Sequence, residues 1–144
     1  MTNYWLMITD QENWLVIKEH EIYATNTKKI FENLKIYDKI VMYLIPKQIC
    51  GIFVISDLYP KKITTFSNKE YKYYFNISPE IIIEPPMKIR KREKSELIDK
   101  ISIFKNALHW GGVIMGKSIL TISKEDYLLI ESKLLKLKNL KLKK

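Results

Sequence analysis

The chain has 144 residues, 47% of them hydrophobic and 28% charged, enough apolar material for one core and too little length for two comfortable domains. No apolar run is long enough to cross a bilayer, and Met1 to Thr9 lacks the pattern of a secretory signal, so a single cytoplasmic domain over 1–144 with no membrane contact is expected. The net charge of +9 is concentrated: Lys88 to Lys94 carries net +4 and Lys133 to Lys144 net +6, leaving the rest at −1. These clusters suit phosphate neutralisation, or equally a solvated loop and a cation-rich helix end.

In chain order, Tyr4 to Thr9 reads as a strand that runs into Thr9-Asp10-Gln11-Glu12, a capping-box pattern that names Thr9 as N-cap of a helix to about His20. Ile22 to Thr25 is a short strand, and Thr27 to Leu34 a turn or short helix anchored by Ile30, Phe31 and Leu34. Lys39 to Pro46 and Gln48 to Leu58 are rich in Ile, Val, Tyr and Phe and are separated by Pro46-Lys47, which predicts antiparallel partners. Gly51 inside the second run marks a bulge or a close backbone approach.

Tyr71 to Ser78 and Glu80 to Glu84 follow as two further strands, the second ended by Pro85-Pro86. Ser95 to Phe104 carries Leu97, Ile98, Ile101 and Phe104 at helical spacing. Val113 to Ile122 is extended or irregular. Ser123 to Asp126 opens a last helix, with apolar positions in a helical period to about Leu140.

Catalytic chemistry is sparse. His20 and His109 have no ligand-spaced Cys, Asp or Glu companions that would make a metal site, and Cys50, the one cysteine, reads as a buried thiol. Gly111 to Ser118 fits the phosphate-loop pattern G-x-x-x-x-G-K-[ST]. Yet no buried strand precedes it, and the 26 residues after Ser118 are too few for a nucleotide-hydrolysing sheet. Nucleotide binding there stays as one alternative. A protein-interaction module using Leu134, Leu137 and Leu140 of the last helix is another. No catalytic residue is assigned and no enzyme activity is expected.

A set of motifs stands in order along the chain: Tyr4-Trp5-Leu6, Glu12-Asn13-Trp14, Lys18-Glu19-His20, Gly51-Ile52-Phe53, Glu70-Tyr71 with Tyr73, Trp110, Gly116-Lys117 and Glu125-Asp126-Tyr127. In this the sequence resembles the EVE domain family, which is related to YTH and ASCH domains in the PUA-like superfamily. The resemblance implies an α+β fold, a strongly bent, mostly antiparallel barrel of about five to six strands with flanking helices. It also implies a non-catalytic pocket for one base of RNA or DNA, often a modified base, with no cofactor and no metal, in a monomer.

By the same resemblance Asn13 is the polar residue that meets the base edge, and Tyr23-Ala24-Thr25 supply an aromatic face followed by small and hydroxyl positions. Tyr23 stands where YTH cages more usually carry tryptophan, and Ala24 where Gly or Ser is frequent. Aromatic stacking with one or two amide or hydroxyl partners is also what single-base recognition needs on physical grounds. Trp110, beside Gly111-Gly112, is a further aromatic candidate or a core residue, whereas Trp5 and Trp14 are expected in the core. Lys105, His109 and Lys117 are candidates for phosphate contacts, with ordinary surface placement as the plain alternative.

Overall fold

The computed structural model describes residues 2–45, 48–58, 72–88 and 119–142. Its elements are β1 (Tyr4–Thr9), α1 (Gln11–His20), β2 (Ile22–Thr25), α2 (Lys28–Asn33), β3 (Lys39–Leu44), β4 (Gln48–Asp57), β5 (Tyr73–Lys88), β6 (Ile119–Thr121) and α3 (Lys124–Leu142). The six strands form one sheet in the order β2-β5-β4-β3-β1-β6. β1 and β3 are parallel, from Tyr4 opposite Lys39 to Thr9 opposite Leu44, and the other four pairings are antiparallel. A parallel pair needs a crossover, and here α1, β2 and α2 provide it.

Alternation along the strands builds two cores on the two faces of the sheet. Trp5, Met7, Ile40 and Met42 meet Trp14 and Ile17 of α1 and Phe31 of α2 on one face. Leu6, Val41 and Tyr43 meet Tyr127, Ile130 and Leu134 of α3 on the other. Trp14 packs edge-on against Phe53, with ring centroids 5.9 Å apart at 88°. Fully burying side chains such as Trp14 and Ile17 stabilises the fold by roughly 2–3 kcal/mol each.

β4 breaks its own alternation. Cys50 and Phe53 both belong to the α1 side, while Ile49 and Ile52 both belong to the α3 side, so one residue is inserted between them. The insertion is the bulge at Gly51, where the registers with both β3 and β5 shift. Gly51 has φ 158, and a Cβ there would overlap the carbonyl oxygen of Ile81. Glycine is required because two backbones touch.

The two strands expected over Tyr71 to Ser78 and Glu80 to Glu84 are a single strand from Tyr73 onward. β5 continues from Tyr73 through Pro79 and Pro85-Pro86 to Lys88. The prolines sit in or beside irregularities: the β4 partner changes from Phe53–Pro79 to Ile52–Ile81, and from Gly51–Ile82 to Ile49–Met87. There the missing N–H groups interrupt no regular ladder. The same irregularities curl the sheet into a half-barrel.

The cap of α1 is Asp10 and not Thr9. The Asp10 side chain accepts from the Asn13 N–H, because a carboxylate one residue further on reaches the same orphan donor and favours the positive helix end. The last helix is capped as the sequence predicts, with Ser123 Oγ accepting from the Asp126 N–H at 3.0 Å. Its apolar stripe is covered by the protein's own sheet: Leu134 is fully buried and Leu137 packs on the same core. The side chain of Leu140, the Pro46-Lys47 turn and the helix predicted over Ser95 to Phe104 lie outside the described residues.

Candidate functional site

The junction of β1 and α1 is built from three consecutive jobs. Thr9 ends the strand and is buried, Asp10 caps the helix, and Asn13 follows at the third helical position with its N–H held by Asp10 Oδ1 at 2.8 Å. Asn13 is half-buried, whereas its neighbour Trp14 faces the core. At the far end of α1, Glu21 takes a left-handed conformation (φ 52) and its N–H caps Ile17 O. The Glu21 carbonyl then accepts from Ile77 N at 2.9 Å and Asn76 Nδ2 at 3.2 Å, which fixes the entry into β2.

β2 is an edge strand of the described sheet, yet all four of its residues are buried. Tyr23 lies opposite Phe75 of β5, ring centroids 5.8 Å apart and tilted by 48°. The curl carries its hydroxyl across to β1, where it donates to Ile8 O at 2.6 Å. The tip of Tyr23 therefore arrives two residues before the Asp10 cap that holds Asn13. Ala24 and Thr25 continue along β2, and Thr25 Oγ1 accepts from the Thr27 N–H at 3.1 Å, closing the turn before α2.

Of the site residues predicted from the sequence, Tyr23 is covered at 5% exposure with its hydroxyl held on β1 two residues before the Asp10 cap, and Asn13 is half-buried at the start of α1. Ala24 and Thr25 are buried on β2, opposite Tyr74 and Tyr73 of β5. Trp110, Lys105, His109, Lys117, the Gly111–Ser118 segment and the basic stretch beyond Lys88 lie outside the described residues. Trp5 and Trp14 are core residues, 5% and 2% exposed. Among the described residues no group of three or more His, Cys, Asp or Glu side chains is placed to hold a metal ion.

Several charges of the described surface are paired. Lys18 lies over the Trp14 ring, 5.5 Å from its centroid, and pairs with Glu84 of β5 at 3.2 Å. Lys39 pairs with Glu80, and Lys28 with Glu32. Lys133, Lys136 and Lys138 on α3 are exposed and form no ion pair with another described residue, which leaves that part of the basic tail available to anions. Burial pushes the Cys50 thiol up to about 12. Burial, together with the hydrogen bond to Glu131 Oε2 at 2.7 Å, raises the Tyr127 phenol well above its ordinary range.

Two features were not read from the sequence. Asp38, 1% exposed, accepts from Asn3 N, Trp5 Nε1 and Lys35 N, each at 3.0 Å. These charge-assisted hydrogen bonds offset the desolvation of its carboxylate. The nearest sequence signal was an acid in the turn just before an apolar strand. The other feature is a cleft of about 310 Å³ at the amino-terminal end of β1, where Asn3 and Trp5 face Asn33 of α2 and Thr121 of β6.

No family model matches the chain. A UPF0310 protein of Pyrococcus abyssi is 33% identical over 142 residues, covering 90% of this chain and 98% of the relative. Among solved structures, the chain is similar to the YTH domain of the Zygosaccharomyces rouxii MRB1 protein in complex with N6-methyladenosine RNA. The TM-score is 0.64 at 13% identity, covering 92% of this chain and 86% of that one. The Mmi1 YTH domain in complex with RNA gives a TM-score of 0.63 at 13% identity, covering 92% and 77%. At these identities the likeness establishes the fold, a curled α+β sheet of the YTH kind.

Proposed function

The chain belongs to the UPF0310 family, and from that premise we propose that it is a non-catalytic nucleic-acid-binding domain of the EVE kind, acting as a monomer. It takes one flipped-out base of RNA or DNA, preferably a modified one, at the corner where α1 starts. The observation that carries this reading is the shared fold: two structures of the same architecture are YTH domains in complex with RNA, one of them with N6-methyladenosine RNA. Fold alone assigns no ligand, so the corner itself must support the assignment.

Two features of the corner and one of the whole chain support it. Asn13 is the polar side chain at the rim, held on a capped helix end, and a carboxamide offers a base edge both a donor and an acceptor. Tyr23 supplies an aromatic wall locked at both ends, by Phe75 and by Ile8 O, so little order is lost when a ring packs beside it. The excess of basic residues supplies the salt-sensitive attraction to phosphates that any single-stranded ligand needs.

The test is fluorescence polarisation with single-stranded RNA and DNA, unmodified or carrying methylated adenine or methylated cytosine, at low and moderate salt. Binding that weakens with salt, prefers one modified strand and falls at least tenfold in Asn13→Ala is the expected result. Absence of binding to every strand at low ionic strength would remove the reading. A magnesium-dependent thermal shift with ATP or GTP would instead favour Gly111–Ser118 as a nucleotide site.

A further inference from the structure

The cleft at the amino-terminal end of β1 lies away from the Asn13 corner, at the opposite end of a six-residue strand. Asn3, Asn33, Thr2 and Thr121 give it carboxamides and hydroxyls, Trp5 gives it an aromatic wall, and among the described residues no charged side chain lines it. Such a lining suits an uncharged, flat ligand with mixed donors and acceptors, and it lacks the cations that a phosphate would require. A volume of about 310 Å³ is at the small end for ligand clefts.

The walls are fixed in advance. One buried carboxylate, Asp38, holds the backbone of Asn3 and the indole of Trp5, and it also holds the backbone of Lys35. Asn33 Nδ2 is tied to Lys29 O at 2.9 Å. The same Asp38 therefore joins the cleft to the turn between α2 and β3, in which Ile36 is 47% and Tyr37 74% exposed.

Tyr37 has φ 76, a left-handed conformation that is unfavourable for a bulky aromatic residue. Its N–H bonds to Ile55 O at 2.9 Å, and the Asp38 N–H bonds to Lys35 O at 3.1 Å. An aromatic ring presented to solvent from a strained, hydrogen-bonded turn costs stability without filling the core, and a stacking platform is a use that accounts for it.

We propose that this cleft is a second ligand site, which takes one uncharged nucleobase of a single strand while Tyr37 stacks on a neighbouring base. The site is separate from the Asn13 corner. It draws on the nucleic-acid reading only in the choice of heterocycle.

The experiment is two-dimensional NMR of the nitrogen-labelled full chain titrated with adenosine, cytidine, guanosine and uridine, and then with single-stranded trinucleotides. Saturable shifts of the Trp5 indole N–H and the Asn33 carboxamide are expected with at least one nucleoside. Thr121→Val and Asn33→Ala should each weaken that binding tenfold or more, and Asn13→Ala should leave it unchanged. Tyr37→Asn keeps a residue tolerant of the left-handed turn; it should change nucleoside binding less than twofold and weaken a trinucleotide at least fivefold.

No saturable shift with any nucleoside at millimolar concentration overturns the proposal. So does equal binding of N-acetylglycinamide, which would mark a peptide site, or loss of the shifts in Asn13→Ala. If oligonucleotides bind only through Asn13, the cleft fails and the base-reading corner stands. If nucleosides fill the cleft while no strand depends on Asn13, the corner fails and the cleft stands.

Discussion

The hydroxyl of Tyr23 donates to the carbonyl of Ile8 at 2.6 Å, joining β2 to β1 although three strands separate them in the sheet. Only a strongly curled sheet permits that contact. Tyr23→Phe should therefore cost about 1 kcal/mol, the worth of one hydrogen bond, and leave ligand binding nearly intact. Tyr23→Ala should cost about 3–5 kcal/mol because it empties the space against Phe75. Urea denaturation followed by tryptophan fluorescence distinguishes them; equal losses would mean the hydroxyl bond and not the ring dominates.

Asp38 is the buried anchor of the amino-terminal end. Asp38→Ala strands the indole N–H of Trp5 and the backbone N–H groups of Asn3 and Lys35, and a loss of about 3 kcal/mol is expected. Chemical denaturation measures it directly. A loss below about 1 kcal/mol would show that water replaces the carboxylate at little cost.

Gly51→Ala should destabilise by roughly 2–4 kcal/mol, since its methyl group meets the Ile81 backbone and β4 has no slack to move away. A melting temperature within a degree or two of wild type would mean that the bulge migrates along the strand.

Cys50 gives the pH dependence. Its folded value is raised from 9.0 to about 12 by burial, so above pH 9 the unfolded chain loses the thiol proton while the folded chain keeps it. The unfolded state then binds fewer protons, and stability falls as pH rises, by about 1.4 kcal/mol per unit across the window from this group. Denaturation between pH 8 and 10 should show that decline, and Cys50→Ala should reduce it, while the raised Tyr127 phenol adds a decline of the same sign at higher pH in both proteins. The native thiol should also resist alkylation at pH 8 and react once the chain is unfolded.

The α3 stripe has a graded expectation. Leu134→Ala opens a cavity and should cost about 2–5 kcal/mol, whereas Leu128→Ala and Leu135→Ala, at 46% and 42% exposure, should stay within about 0.5 kcal/mol. Thermal denaturation of the three variants checks the order. A large loss at Leu128 or Leu135 would point to an interface that covers them.

The sequence was legible where local chemistry decides the outcome. Ile22 to Thr25 alternates too little for a helix and too briefly for anything but a strand, and β2 occupies those residues. Ser123 announced its cap. Proline misled, because Pro85-Pro86 reads as the end of a strand while an irregularity opposite β4 accommodates the pair inside β5. Parallel pairing of β1 with β3 could not be read, since it depends on where the long crossover from Thr9 to Lys39 returns.

The site divides the same way. Asn13 came from an ordered motif and Tyr23 from the resemblance that the motifs carry, not from periodicity, which assigns Tyr23 to a strand without saying that the curl brings it to Ile8. Asp38 was missed because its burial depends on donors from the start of β1, Asn3 and Trp5, as well as from Lys35 in its own turn, and no local rule predicts that distant pair.

The sheet that separates the two cores also separates their evolutionary fates. Trp14 and Tyr23 sit on one side, Tyr127 and Leu134 on the other, and distant substitutions without shared partners combine nearly additively. Substitutions on the outer surface of α3 can thus change its charge, and with it the attraction to phosphates, without retuning the packing around Tyr23.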